Sequence, residues 1–163
     1  MLVLLAALAG CGSDPGEHEY SAGFRLTFPD GWQRRENYRD MPLVAVAPAE
    51  DEQAFPVNLN VRLVGNPEGL DLDDFYERHF DEELARSVQR DFMLIDVSDR
   101  RLGSYAARRV VYTHRVAPDD LKSLAWVILA GRRGYIITGN AGIDQFAEYE
   151  KVFDGIVATF EAD

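Results

Sequence analysis

Apolar and polar side chains alternate along several short stretches of the chain, as in β-strands with one buried face. The alternation is clearest over Val57–Leu63, and a second run, Gly23–Phe28, leads into a turn at Pro29-Asp30-Gly31. Leu43–Ala47 is a shorter apolar run between them. These patterns predict three strands in the first part of the chain.

The apolar spacing then changes to three and four residues, which is typical of an amphipathic helix. The apolar positions of this predicted helix are Leu72, Phe75, Tyr76, His79, Phe80, Leu84 and Val88. Asp71 or Asp73 can cap its start, where acidic side chains suit the helix dipole. The helix is long enough to lie along one face of a sheet.

Four further strands are predicted in succession: Met93–Leu102, Ala106–Val116, Leu121–Ala130 and Tyr135–Asn140. Their connections are too short for parallel crossovers and therefore indicate antiparallel hairpins.

Leu121–Ala130 is apolar on both faces, so we expect this strand to be covered on both sides. A last amphipathic helix over residues 144–159 supplies the second cover. The predicted fold class is α+β: an α-β-α sandwich with a mainly antiparallel sheet and helices on both faces.

Composition limits the classes of function. The 163 residues carry a net charge of -11, which argues against binding to nucleic acid, since phosphates demand a basic surface. The same charge argues against broad adhesion to anionic lipid, and an acidic surface favours solubility.

The first ten residues, Met1–Gly10, are almost wholly apolar and too short to span a bilayer, as in a signal peptide. Leu8-Ala9-Gly10-Cys11 resembles the lipobox of bacterial lipoprotein precursors. That resemblance implies lipid attachment (palmitate-type acyl chains) to the Cys11 thiol, followed by cleavage before Cys11. The division expected is a signal peptide over 1–10, a flexible tether over 11–21 and one domain over 22–163.

One feature departs from the signal pattern, because no Lys or Arg precedes the apolar run. A translation start upstream of Met1 would account for this. The alternative is a buried N-terminal strand or helix that contains an incidental cysteine. The lipoprotein interpretation places the protein outside the cytoplasm, anchored in the cell envelope on the periplasmic or outer face.

The order of elements and three motifs resemble PsbP-like and DcrB-like domains. The first motif is the segment 23–32, which ends in Pro29-Asp30-Gly31-Trp32. The second is the segment 102–108 around Gly103-Ser104, and the third is the segment 134–138. The closing helix, which ends at Phe160, also fits the resemblance. The resemblance covers about residues 20 to 162. It implies an α-β-α sandwich and a binding or assembly role, and it implies no catalytic activity.

The residues themselves offer little catalytic chemistry. The histidines are His18, in the predicted tether, His79, on the apolar side of the first helix, and His114, on a strand. Glu17-His18-Glu19 is either a weak cation site or a solvated linker. No serine lies in a nucleophile-elbow pattern, so we predict no catalytic residues and no enzyme.

The remaining polar groups have a structural and a functional interpretation. Asn58, Asn60 and Arg62 share one strand face and mark either a polar ligand cleft or an exposed edge. The other acidic and basic groups are assigned to helix capping or to solvated surface, and we predict no metal or cofactor site. These groups are Asp71, Asp73, Asp74, Glu77, Asp81, Glu82, Glu83, Arg132 and Arg133.

The leading hypothesis is a non-catalytic binding or assembly domain, held to the membrane through Cys11 and facing an envelope protein partner. The alternatives are a small-ligand carrier with a cleft between sheet and helix, and an enzyme of unrecognised type. A flat apolar surface would favour the first, and a buried polar cluster with a pocket would favour the second.

Overall fold

A seven-stranded antiparallel sheet forms the centre of the protein in the computed structural model, which describes residues 17–49, 54–82 and 91–163. The ten strands are β1 (Glu17–Tyr20), β2 (Phe24–Thr27), β3 (Gln33–Tyr38), β4 (Met41–Val46), β5 (Asn58–Gly65), β6 (Met93–Leu102), β7 (Tyr105–Val116), β8 (Asp119–Ala130), β9 (Arg133–Gly142) and β10 (Glu161–Ala162). The large sheet has the order β3-β4-β5-β9-β8-β7-β6, and its pairs are antiparallel.

Two helical elements cover opposite faces of this sheet. The helix α1 (Leu72–Tyr76) continues into a π-helical segment over Glu77–Asp81, and α2 spans Phe146–Val157. The predicted α+β sandwich with helices on both faces is confirmed. Asp71 caps α1, since its carboxylate accepts a hydrogen bond from the Asp74 amide at 3.0 Å. The part of the predicted first helix beyond Glu82 lies outside the described residues.

The strand β8 is buried on both faces, as its sequence predicts. Ala125 and Val127 pack with Phe75 and Phe80 of the α1 layer. On the opposite face, its even-numbered residues pack with α2; they are Leu124, Trp126 and Ile128. A strand between two layers needs apolar side chains at successive positions, and this explains its unbroken hydrophobic sequence.

The neighbouring strand β9 lacks a side chain at two places where a helix approaches it. The ring of Phe75, from α1, lies directly over Gly134. On the other face, a Cβ added to Gly139 would lie 2.5 Å from atoms of the Phe153 ring. Glycine therefore permits the close approach of both helical layers to the central sheet.

A salt-bridge cluster joins α2 to the sheet. The guanidinium of Arg109, on β7, donates to the carboxylates of Asp154 at 3.0 Å and Glu150 at 2.6 Å. The indole of Trp126 also donates to Asp154, at 2.9 Å. Since Arg109 is mostly buried, these bonds compensate for the desolvation of its charge and fix the position of α2.

The first and last strands correct the predicted tether. β1 and β10 flank β2 in a small three-stranded antiparallel sheet. The tether predicted over residues 11–21 is therefore wrong for Glu17–Tyr20, whereas residues 11–16 lie outside the described part. The buried Tyr20 stacks on Phe24 with ring centroids 4.9 Å apart, so apolar packing stabilises this strand.

The strand β3 was also not predicted, because Gln33–Tyr38 is polar and lacks an alternating apolar face. It pairs with β4 at the edge of the large sheet, and its side chains are mostly exposed. Its pairing partner, rather than its own hydrophobicity, determines its conformation.

Candidate functional site

Four polar side chains form a hydrogen-bonded row across the sheet, on the face that α1 covers. His114 Nε2 lies 2.9 Å from Ser123 Oγ, and Ser123 Oγ donates to Asn140 Oδ1 at 2.7 Å. The Asn140 amide donates to Asn58 Oδ1 at 3.0 Å. We call His114, Ser123, Asn140 and Asn58 the polar row; it crosses β7, β8, β9 and β5.

The end of the polar row fixes the direction of each hydrogen bond. The Asn58 amide meets the Pro56 carbonyl at 3.0 Å, and a carbonyl can only accept. Asn58 Oδ1 must therefore accept from Asn140, whose Oδ1 accepts the Ser123 hydroxyl proton. The Ser123 oxygen then accepts from His114, so the neutral His114 is protonated at Nε2.

Burial sets the protonation of the row and its surroundings. Desolvation lowers the pKa of His114 below its usual value, which favours the neutral ring near pH 7. Burial raises the pKa of the adjacent Tyr112 to about 12. The Tyr112 ring contacts Phe92 and His114, with centroids 5.5 and 5.4 Å away. The row is thus neutral and bordered by aromatic rings.

We expect the stability of the protein to fall as the pH decreases from 7.5 to 5.5, partly because of His114. Its pKa is lower in the folded than in the unfolded state, so the unfolded chain binds more protons between the two pKa values. His114→Gln retains an amide donor near the position of Nε2 but does not titrate. Urea unfolding at both pH values should show a smaller loss for His114→Gln than for the native chain.

The wild-type and His114→Gln proteins share every carboxylate, so the difference between their pH dependences isolates His114. An equal loss of stability in the two proteins would contradict the assignment of a neutral, half-buried histidine.

The structure divides the predicted polar strand face of β5. Asn58 belongs to the polar row, whereas Arg62 donates to the main-chain carbonyl of His79 at 2.7 Å. Asn60 is half-buried between them. All three residues are half-buried, and β5 lies between β4 and β9 in the sheet, so the exposed-edge interpretation of this face is wrong. The cleft interpretation stays a prediction. The sequence did not indicate that His114 and Ser123 extend the same row.

Several of the remaining candidate residues make structural contacts. The ring of His79 packs on Phe75, with centroids 4.7 Å apart, which confirms its position on the apolar side of the helix. Asp73 pairs with Arg108, and Arg132 donates to the Pro67 carbonyl. Cys11, Glu83 and the side chains of Glu17 and His18 lie outside the described atoms. The described residues contain no group of three or more possible metal ligands of the His, Cys, Asp and Glu types.

The start of β6 presents a second candidate surface, which is apolar. The exposed fractions are 57% for Met93, 46% for Leu94, 47% for Ile95 and 40% for Val97. We call these four residues the β6 patch. β6 is the last strand of the large sheet in the described ranges, and a β-bulge lies between Leu94 and Asp96. Met93 lies on the face that α2 covers, whereas Leu94 and Val97 lie on the face that α1 covers, so the patch extends around the edge of the sheet. Exposed apolar side chains grouped at one edge make it a candidate interaction surface. No helix of the described residues is long and apolar enough to cross a membrane.

Comparison with known proteins gives a result only at the level of structure. No family model and no curated protein sequence matches the chain. The fold is similar to cyanobacterial PsbP (CyanoP) from Synechocystis sp. PCC 6803, with a TM-score of 0.67 and 17% identity over 98% of this chain and 99% of that one. It is also similar to LpqN, involved in cell envelope biogenesis of Mycobacterium tuberculosis, with a TM-score of 0.65 and 15% identity over 89% and 88% of the two chains.

A third similar structure is the Ran-binding protein Mog1p from Saccharomyces cerevisiae, with a TM-score of 0.65 and 13% identity over 90% of this chain and 94% of that one. At these identities the similarity defines the fold alone. The protein thus has a PsbP-like α+β fold, as the motifs around Trp32 and Gly103 implied.

Proposed function

We propose that this protein is an exported, lipid-anchored binding or assembly domain that recognises a protein partner in the cell envelope and catalyses no reaction. The β6 patch is the observation that carries the proposal. Its four side chains are each at least 40% exposed, and they lie between positions 93 and 97 at the edge of the sheet. A partner strand added to this edge would gain main-chain hydrogen bonds and cover the apolar side chains.

The envelope location rests on two further observations. The segment Leu8-Ala9-Gly10-Cys11 has the order of a lipobox after an apolar run. The fold is also shared with LpqN, a protein involved in cell envelope biogenesis. An anchor on Cys11 would confine the domain to a membrane surface, where a local partner is met at high effective concentration.

The absence of catalysis is supported by how the described candidate groups are used. His79 packs on Phe75, and His114 donates into the polar row. Among the structures with this fold, Mog1p is a binding protein for Ran. A binding role needs no activated nucleophile, and it agrees with these structural roles.

A small-ligand carrier is the second candidate, and the polar row favours it. Asn58, Asn140 and His114 are half-buried and uncharged near neutral pH, and Tyr112 provides an adjoining aromatic face. These groups suit a neutral ligand that both stacks and forms hydrogen bonds. His114→Gln and Asn140→Ala would weaken such binding and leave the β6 patch unchanged.

A photo-crosslinking amino acid at Ile95 should capture the partner in intact cells of the host. The matched control is Ile143, which is 51% exposed but lies beyond β9, away from the β6 patch. We expect a discrete crosslinked band from position 95 and none from position 143. Ile95→Asp should remove co-purification of that partner, whereas Ile143→Asp should not. Equal capture from the two positions would contradict a partner site on β6.

A further inference from the structure

The order of charged residues along β6 allows acidic and basic side chains to pair when two antiparallel copies of the strand lie side by side. After the bulge, β6 pairs regularly with β7 from Asp96 to Leu102. This segment contains Asp96, Ser98, Asp99, Arg100 and Arg101. Charges on an edge strand usually prevent pairing with other strands. Their effect on one particular partner depends on which charges are placed opposite each other.

The pairing with β7 shows which face each charge occupies. Asp96 and Arg100 lie opposite Val111 and Ala107, which belong to the core beneath α2. Both charges are therefore on the α2 face of the sheet, because directly paired residues share a face. Ser98, opposite Arg109, lies between them on the same face.

A second copy of β6, antiparallel to the first, can be placed in only a few symmetric registers. Directly paired residues must lie on the same face of the sheet. The two-fold axis therefore passes between one residue of the first copy and the same residue of the second copy. With the axis at Ser98, Asp96 of each copy lies opposite Arg100 of the other. With the axis at Asp99, two like charges are directly opposite, and with the axis at Val97 no opposite charges pair. With the axis at Arg100, Asp99 of each copy lies opposite Arg101 of the other, but the two Arg100 side chains are then directly opposite each other.

The register centred on Ser98 also covers part of the β6 patch. When the bulge at Ile95 is counted, Met93 of one copy lies on the α2 face near Leu102 of the other. The same pairing places Val97 opposite Asp99 of the neighbouring strand, whose carboxylate is bound by Arg108 of its own chain. Charge complementarity therefore selects this register, and Met93 is the member of the β6 patch that gains an apolar neighbour.

We infer that the partner of β6 is a second copy of this chain, joined edge to edge in antiparallel register with the two-fold axis at Ser98. This inference rests on the proposed binding role of β6 and specifies its partner. The two seven-stranded sheets would form one continuous sheet, with the α2 helices of both copies on one face.

The register can be tested by disulfide crosslinking of the full chain carrying Cys11→Ala. At the axis, the two Cα atoms of residue 98 would be about 4.5–5.5 Å apart, within the range of a disulfide. Oxidised Ser98→Cys should therefore run as a covalent dimer on a non-reducing gel. The matched control is Ser104→Cys, in the turn after β6, whose two copies would lie about 40 Å apart along the strand direction.

Charge exchange tests the same register without cysteine. Asp96→Arg places like charges opposite each other twice and should raise the dimer dissociation constant about tenfold in analytical ultracentrifugation. Asp96→Arg combined with Arg100→Asp restores both opposite pairs and should restore the dimer. Both variants lose the 4.0 Å ion pair between Asp96 and Arg109 of the same chain, so recovery of the dimer in the double variant would show that the loss in the single variant arises at the interface.

Equal crosslinking of Ser98→Cys and Ser104→Cys, or a dimer insensitive to Asp96→Arg, would overturn the inference. If position 95 captures another protein while Ser98→Cys remains monomeric, the inference fails and the proposed binding role of β6 stands. If neither variant captures anything, both fail.

Discussion

Gly139→Ala is expected to destabilise the protein by about 2–3 kcal/mol, whereas Gly155→Ala should stabilise it by about 0.5–1 kcal/mol. Gly139 lies on β9 beneath α2, and an added Cβ would meet three atoms of the Phe153 ring at 2.5–2.7 Å. Phe153 is fully buried, so its ring cannot move aside without disturbing the core. Gly155 lies on the exposed side of α2 with no atom within 4 Å of the added methyl group.

Urea unfolding followed by tryptophan fluorescence would measure both free energies of unfolding. A second variant separates steric overlap from any effect on strand propensity: Gly139→Ala combined with Phe153→Leu should cost less than the sum of the two single changes. Additive costs, or a Gly139→Ala protein as stable as Gly155→Ala, would show that α2 does not approach β9 as closely as described.

Cys11→Ala is expected to abolish both processing and membrane anchoring, which is an all-or-none effect. The thiol of Cys11 is the proposed attachment point of the lipid, and cleavage follows attachment. Intact mass of the protein purified from host membranes should equal the chain from Cys11 to Asp163 plus acyl chains. Cys11→Ala should retain Met1–Gly10 and lack the acyl mass.

Ser13→Ala is a suitable control, because it changes the same segment but leaves the Leu8–Cys11 motif intact. It should be processed and lipidated like the native chain. An unmodified native chain that begins at Met1 would rule out the lipoprotein interpretation. The envelope location would then lose its main support, whereas the β6 patch would remain a candidate binding surface.

The predictable parts of the fold are the elements whose burial requires a regular pattern of apolar residues in the sequence. β8 illustrates this: it has apolar side chains on both faces because α1 and α2 cover both. The antiparallel order of β6 to β9 followed from turns too short for a crossover. In contrast, β3 is polar and β10 has two residues, so neither carries a periodic signal.

The candidate surfaces were predictable only in part, because both depend on contacts between distant segments. The alternation of apolar and polar residues along one strand predicts that Asn58, Asn60 and Arg62 share a face. Its continuation to Ser123 and His114 requires the strand order β5-β9-β8-β7, which no local pattern determines. The β6 patch was hidden for a related reason: exposed and buried apolar residues look alike until the neighbouring elements are placed.

The small three-stranded sheet has a consequence for the order in which the protein completes its fold. β10 pairs Glu161 with Arg25, and the same two side chains form a salt bridge across 136 positions of sequence. During synthesis, β2 therefore has no second neighbouring strand until residues 161–162 have been made. Contacts of such long range slow folding. One small sheet therefore joins the two ends of the described domain, and loss of Glu161–Ala162 would leave β2 paired with β1 alone.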